Sequence, residues 1–255
     1  LQQDVGNGWF VGKPITVIYD LKKIGIWQTS EAAQAAVYGQ FPGDIKLQDL
    51  NKNNSIDAND RQFVGDFQPD LIAGMTNHFE FKNFDLNVVM FGRFGQTVVA
   101  TYLSADGGAG GYPFFMNSRV NQHKVDYWTP TNPTNAFPQP DASRDGQLYT
   151  STLTYQDGSF IKVRTIDLGY NVPAGMLNRL KIQSLRIYVS AQNPFILWSP
   201  LVRDGLGIDP EGNFTGNNNS VGSIGSTTPV KTRAITVNMT VPPTRQFVFG
   251  VNLKF

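Results

Sequence analysis

The feature that most constrains this chain is a set of long runs in which apolar and polar residues alternate. Between Thr244 and Phe255, the residues Phe247, Phe249, Val251, Leu253 and Phe255 fall on one side, and Gln246, Val248, Gly250, Asn252 and Lys254 on the other. A period of two is that of a β-strand, whose successive side chains point to opposite faces of a sheet. Leu185 to Gln192 repeats the pattern, with Leu185, Ile187, Val189 and Ala191 against Arg186, Tyr188, Ser190 and Gln192. Phe84 to Phe94 sets Phe84, Leu86, Val88, Met90 and Phe94 against Asp85, Asn87 and Arg93. Ala73 to Lys82 sets Met75, Phe79 and Phe81 against Thr76, His78, Glu80 and Lys82. Phe160 to Val172 sets Ile166, Leu168, Tyr170 and Val172 against Thr165, Asp167 and Asn171, and its phase changes at Ile161 and Val163, which predicts a bulge.

Most of these runs are about twice the length of an ordinary strand, which averages roughly five or six residues. A tilted strand that crosses a bilayer needs roughly 9 to 11. Length and alternation together predict an all-β fold, a transmembrane antiparallel β-barrel; the alternative is a large soluble β-sandwich whose apolar face is its core. The connections bear on the choice. Only Asn83 separates Lys82 from Phe84, whereas segments 99–159 and 199–243 are long and rich in Gly, Asn, Pro, Ser and Thr. Barrels of the outer membrane pair short periplasmic turns with long external loops, and soluble domains seldom carry structureless connections of such length. One short helix is predicted, from Ser30 as cap through the alanines to Ala36.

Composition removes several classes. Charged residues are 16% of the chain, against about 25% in average globular usage. Lys+Arg total 21 against 20 Asp+Glu, a balance that offers no basic surface for nucleic acid. There is no cysteine, hence no disulfide framework, and no apolar run long enough for a membrane-spanning helix. The 18 Phe, 9 Tyr and 4 Trp supply too much apolar surface for a disordered chain. The chain opens at Leu1 without a leader-like segment, which reads as a mature or truncated piece.

The sharpest local motif runs from Asp49 to Asp60. Asp49, Asn51, Asn53, Asp57 and Asp60 place side-chain oxygens at loop positions 1, 3, 5, 9 and 12, and Ser55 would offer its backbone carbonyl at position 7. That is the spacing with which a twelve-residue loop surrounds calcium, a hard cation that takes six to eight oxygens. Asn54 stands where glycine is usual, and Asp60 where a longer Glu is usual. The expected role is structural, since the ligands leave no open position for chemistry; an Asn/Asp-rich turn without metal is the alternative.

Catalytic signatures are missing, and no enzyme is expected. His78 and His123 are far apart, no Gly-x-Ser-x-Gly occurs, and Gly107 to Gly111 does not lead from a strand into a helix. Asp204, Asp209 and Glu211 read as ordinary loop acids rather than a glycosidase pair. Aromatic residues in or beside the long connections are Tyr112, Phe114, Phe115, Tyr127, Trp128 and Trp198. Trp198, near a strand end, reads as a girdle residue at the membrane boundary. Tyr112, Phe114 and Phe115 read either as ligand contacts or as internal loop packing.

Several segments together resemble one family. They are Gly43-Asp44-Ile45-Lys46-Leu47-Gln48-Asp49-Leu50-Asn51 continuing to Asp57 and Asp60-Arg61; Phe81-Lys82-Asn83-Phe84-Asp85-Leu86; Ser159 to Arg164 with Leu168-Gly169-Tyr170-Asn171-Val172-Pro173; Leu185 to Phe195; and Pro242 to Phe255. In order and spacing they resemble the SusC/RagA-type TonB-linked outer-membrane transporters of Bacteroidetes, and Val11 to Gln28 resembles a further segment of that family, placed in an extracellular loop, with a further strand as the alternative. The resemblance implies the C-terminal strands of a large TonB-dependent transporter barrel with long extracellular loops, in the outer membrane of a Gram-negative bacterium. It implies TonB-dependent active import of oligosaccharides or peptides. It also implies a SusD-like surface lipoprotein as lid, contact with outer-membrane lipid and the rest of the same barrel, and a TonB complex reached through an N-terminal part absent here. On this reading residues 1–68 are an extracellular loop region carrying the calcium loop 49–60, and 69–255 hold the barrel strands and further external loops. The Lys82–Phe84 turn and Phe255 would be periplasmic. Lumen-facing candidates are Asp85, Asn87, Arg93, Arg186, Tyr188 and Gln192; candidate substrate contacts are Tyr112, Phe114, Phe115, Arg93, Arg186 and Tyr188. The competing function is a soluble calcium-dependent β-sandwich module that binds glycans.

Overall fold

The alternating runs become β1 (Leu71–Phe81), β2 (Phe84–Phe94), β3 (Phe160–Asn171), β4 (Ser184–Trp198) and β5 (Gln246–Lys254). They hydrogen-bond into one sheet in the order β5-β4-β3-β2-β1, every pair antiparallel. The protein is seen here as a computed structural model that describes residues 3–100, 103, 125–140, 149–178, 182–207, 209–211, 236–237 and 244–255. Among the described residues the sheet does not close on itself; β1 and β5 are its open edges.

The register fixes which side chains share a face. One row crosses all five strands as Phe79, Leu86, Leu168, Val189 and Phe249, and the next as Asn77, Val88, Ile166, Ala191 and Phe247. The opposite face reads Glu80, Asp85, Gly169, Tyr188 and Gly250, then His78, Asn87, Asp167, Ser190 and Val248. A slip of one residue in any strand would exchange these sets, so the sequence pattern and the pairing specify each other. The bulge expected in β3 is present: the register shifts between Val163 and Thr165 against both neighbours. The second run extends well past its expected end at Gln192. It continues to Trp198 through Asn193, at φ 47°, and Pro194. Two residues of β4 there face one of β3, so a proline that reads as a strand end sits in a bulge instead.

The apolar face is uncovered. Phe79, Phe81, Phe84, Phe247 and Phe249 are each at least half exposed, with Met75, Leu168, Ile187, Val251 and Leu253 beside them. Those five phenylalanines alone leave roughly 600 Å² of ring surface open, taking about 200 Å² for a full side chain. That equals the largest apolar patch of a typical soluble monomer, about 300–600 Å², before any other residue is counted. A sandwich would bury this face against a second sheet, and none of the described residues forms one on it. From Phe84 to Phe94 the strand rises roughly 33 Å at about 3.3 Å per residue. Tilted by about 40°, that gives ~25 Å, the height of the apolar band of outer-membrane barrels. Aromatic contacts mark both ends of the rise: Phe84 on Tyr170 at 4.7 Å, and Phe94 stacked on Trp198 at 6.1 Å between centroids.

At the Phe94 end the chain builds a second body from short pieces. Val17–Asp20 pairs with Gln62–Asp66, Lys23–Ile26 with Ile45–Leu47, and Thr97–Ala100 lies between Tyr155–Asp157 and Thr236–Val237. Its core holds Leu21, Ile26, Ile45, Leu47, Val98, Ala100, Leu103, Trp128, Phe137, Leu153, Leu201 and Leu206. These residues come from both sides of position 68. The loop aromatic Trp128 belongs to this core, 2% exposed, with its indole N–H donated to Gln28 Oε1 at 2.8 Å. The expected helix is Ala32–Val37, preceded by a 3-10 turn at Thr29–Glu31. Ser30 lies inside that turn rather than capping it; the Gln28 N–H bonds the Glu31 carboxylate at 3.0 Å instead. At the other end of the sheet, β1 and β2 join through Lys82–Asn83, and Asn171 N–H bonds the Asn83 carbonyl at 2.8 Å.

Lys23 lies half-buried in the second body, its ammonium donating to the carbonyls of Asn135 and Ala136 at 2.8 and 2.6 Å. Burial pulls its pKa from 10.5 down to about 8. Between pH 8 and 10.5 the unfolded chain therefore binds the extra proton, and stability rises with pH through that window. Pulse proteolysis of segment 3–67 at pH 7 and 9.5 is expected to show more protection at the higher pH, a gain that Lys23→Met removes.

Candidate functional site

The polar face of the sheet carries the groups able to meet a ligand, in two clusters at opposite ends. Near the Lys82–Asn83 turn, Arg186 reaches across β3 to Asp85, its Nε 3.3 Å from Oδ1 and its Nη2 in an ion pair with Oδ2. The two residues sit on strands that do not touch, and Gly169 between them makes the contact possible. A Cβ at position 169 would lie 2.5 Å from both Arg186 Nη2 and Asp85 Oδ1. Asn171 donates to Asp85 at 3.2 Å, and the Arg186 guanidinium lies 5.5 Å from the Tyr188 ring centre. The Tyr188 ring in turn covers Gly250, where a Cβ would meet it at 2.3 Å.

At the other end the segment 209–211 is bound to the sheet by charge. Lys162, 2% exposed, places Nζ 2.6 Å from Asp209 Oδ2 and 3.4 Å from Glu211 Oε2. Arg164, released by the bulge in β3, pairs with Glu211. Asp209 is itself buried and accepts the Glu211 N–H at 2.8 Å. Both carboxylates are thus neutralised by cations, while Asp204 pairs with Arg203. Phe91 lies among these charges, with the Arg164 and Arg93 guanidinium carbons 5.0 and 5.4 Å from its ring centre.

The candidates Arg93, Arg186 and Tyr188 all fall on this face, but not together. Arg93 is level with Phe160, and Arg186 with Asn171, at the two ends of β3, roughly 35 Å apart along the strand. Asp85, Asn87 and Gln192 share the face. His78 lies there too, 3.1 Å from Glu80. Tyr112, Phe114, Phe115 and His123 lie outside the described residues. Lys162 and Arg164, which hold the second cluster, were not among the sequence candidates. The phase change at Ile161 and Val163 marked their place but not their partners.

The calcium-like loop is folded largely by its own acceptors. Asp49 accepts N–H groups of Lys52 at 2.7 Å and Asn54 at 2.9 Å, plus the Tyr38 hydroxyl at 3.1 Å. Asn51, Asn53 and Asp57 each accept the N–H two residues on. Asp60, fully buried, accepts from Leu50 and Asp57, both at 2.8 Å. Asn54 adopts φ 63°, the left-handed backbone that glycine supplies in such loops. The donor set is oxygen only, as a hard cation requires. Among the described residues, however, no three His, Cys, Asp or Glu side chains gather as a metal cluster.

No protein-family model matches the chain. Among curated proteins it is 30% identical to TonB-dependent receptor P3 of Formosa agariphila, over 96% of this chain and 22% of that protein. It is 25% identical to TonB-dependent receptor SusC of Bacteroides thetaiotaomicron, over 74% of this chain and 18% of that protein. The chain thus spans about a fifth of the length of the curated relatives it matches. Among solved structures it superposes on the RagAB peptide transporter with a TM-score of 0.63 at 17% identity, over 100% of this chain and 25% of that one. On the RagAB peptide importer in its open-open state the TM-score is 0.58 at 16% identity, over 97% of this chain and 23% of that one.

Proposed function

We propose, for a chain that is a segment of a SusC/RagA-type TonB-dependent transporter, that β1 to β5 are the C-terminal wall of an outer-membrane barrel through which the whole protein imports oligosaccharides or peptides. The observation that carries this reading is the apolar face, in register over five strands and uncovered. Lipid would cover that face, and the Asp85, Arg186, Lys162 and Arg93 side would line the lumen. The two open edges would pair with the strands that the remaining length of the transporter supplies, which removes their unsatisfied backbone groups from the bilayer. The Lys82–Asn83 turn would face the periplasm, and the second body, with loop 49–60, the outside. A SusD-like lipoprotein would close over that outer body, and the TonB complex would supply energy from the periplasm. Isolation of the full-length protein in mild detergent, followed by a native gel and mass spectrometry, tests the assembly. Co-migration of a surface lipoprotein is the expected result; recovery of the protein alone from the soluble fraction would contradict the whole reading.

Calcium at 49–60 belongs to the same reading. The spacing of Asp49, Asn51, Asn53, Ser55, Asp57 and Asp60 and the left-handed Asn54 support it. Bound calcium would stiffen the outer body rather than take part in transport chemistry. Calorimetric titration of the chelator-treated protein is expected to show binding that Asp49→Ala and Asp57→Ala each weaken at least tenfold. No heat at millimolar calcium would mean an Asn/Asp turn closed by its own hydrogen bonds.

A further inference from the structure

Among the described residues around Phe91, Arg93 is the cation left without a counter-ion. Among the described residues, three cations and two carboxylates stand around Phe91: Lys162 pairs with Asp209 and Glu211, Arg164 pairs with Glu211, and Arg93 pairs with neither. Its Nε is buried and has no hydrogen-bond acceptor among the described residues. The residues beside it in register are Ile72 on β1 and Phe160 on β3, neither of which offers a side-chain acceptor. A buried donor left unpaired is costly, more so when charged, so each such group calls for a partner. The guanidinium is planar, always charged and matched to a carboxylate in a two-bond fork, and an aromatic ring against it holds the plane in place. We propose that Arg93, steadied by Phe91, is a carboxylate-binding subsite on the lumen wall, which takes an acidic group of the transported oligomer. The proposal rests on the reading that this face lines a lumen.

The site deepens that reading by giving the cargo a charge. Its neighbours keep it selective: Asp209 and Glu211 already occupy Lys162 and Arg164, so an incoming anion finds Arg93 as the remaining donor rather than a general basic surface. The source of the carboxylate is either a peptide terminus or an acidic sugar, and two matched probe pairs separate them. One is tetra-alanine with a free or an amidated C-terminus. The other is trigalacturonate or its methyl ester. The full-length transporter in detergent is treated with phenylglyoxal, which modifies guanidinium groups, and modification of Arg93 is read by mass spectrometry.

Free-carboxylate probes at millimolar concentration are expected to slow modification of Arg93 at least fivefold, with no effect from the neutral partner of the protecting pair. In the uptake of the protecting probe, Arg93→Gln is expected to lose about tenfold and Arg93→Lys less, with a smaller loss for its neutral partner. Protection by the peptide pair assigns a peptide, and protection by the uronate pair an acidic glycan. Equal protection by charged and neutral probes, or an Arg93 that phenylglyoxal does not modify at all, overturns the subsite. The lumen reading is checked separately by the water accessibility of Ser190→Cys against Val189→Cys. If Ser190→Cys reacts and Arg93 is not protected, the lumen stands and the subsite alone fails.

Discussion

Val88→Arg is expected to destabilise the assembled barrel by about 2–4 kcal/mol, the cost of a charged side chain at the lipid-facing midplane. Val89→Arg, one residue on, is expected to cost no more than about 1 kcal/mol, as for substitutions outside packed cores. The two valines have the same side chain, stand next to each other near the middle of β2, and are both half-buried. They differ in face. Val88 lies in the row of Ile166 and Ala191, Val89 in the row of Thr76, Thr165 and Gln192. Nothing but the environment on the two sides of the sheet distinguishes them, so the difference between the variants measures that environment. Urea unfolding of the full-length protein in lipid vesicles reads it. Equal effects from both substitutions would mean that lipid does not contact the Val88 face.

The second large effect is expected at Lys162. Lys162→Met leaves Asp209 buried without its cation, and removal of one partner of a buried pair costs about 3–5 kcal/mol. The loss should be local: segment 209–211 leaves the sheet before the strands separate, because its attachment rests on Lys162 and Arg164. Adding Asp209→Leu to Lys162→Met is expected to recover most of the loss, since a packed apolar pair of similar volume is often neutral relative to a buried ion pair. Hydrogen exchange over residues 199–211 reads the release. If the double variant is as loose as the single one, the pair positions the segment by geometry that an apolar contact does not replace.

The strands and their faces were legible because alternation is a local property. Every residue from Phe247 to Leu253 is assigned to its side by its neighbours two positions away, and the pairing with β4 follows the same parity. Even the β3 bulge showed, as a break in phase at Ile161 and Val163. The end of β4 did not, because Asn193-Pro194 breaks a strand in most contexts and becomes a bulge here only through its pairing with β3. The side-chain clusters were less legible still. Lys162 lies 47 residues from Asp209, and Asp85 lies 101 from Arg186. Nothing local marks either pair, and Gly169, which makes the second one possible, reads in sequence as a weak point in a strand. The place of Trp128 was hidden for the same reason: the core it enters is assembled from distant segments.

The measurement that bears most directly on the barrel reading is cysteine-scanning accessibility along β4, in a chain that has no cysteine of its own. Single cysteines are placed from Leu185 to Gln192 in the full-length transporter and treated in intact outer membranes with a charged, water-soluble thiol reagent. The expected result has a period of two: positions 186, 188, 190 and 192 react, while 185, 187, 189 and 191 react only with a lipid-soluble reagent. Uniform reaction at all positions, or a period of two in a protein recovered from the soluble fraction, would contradict it.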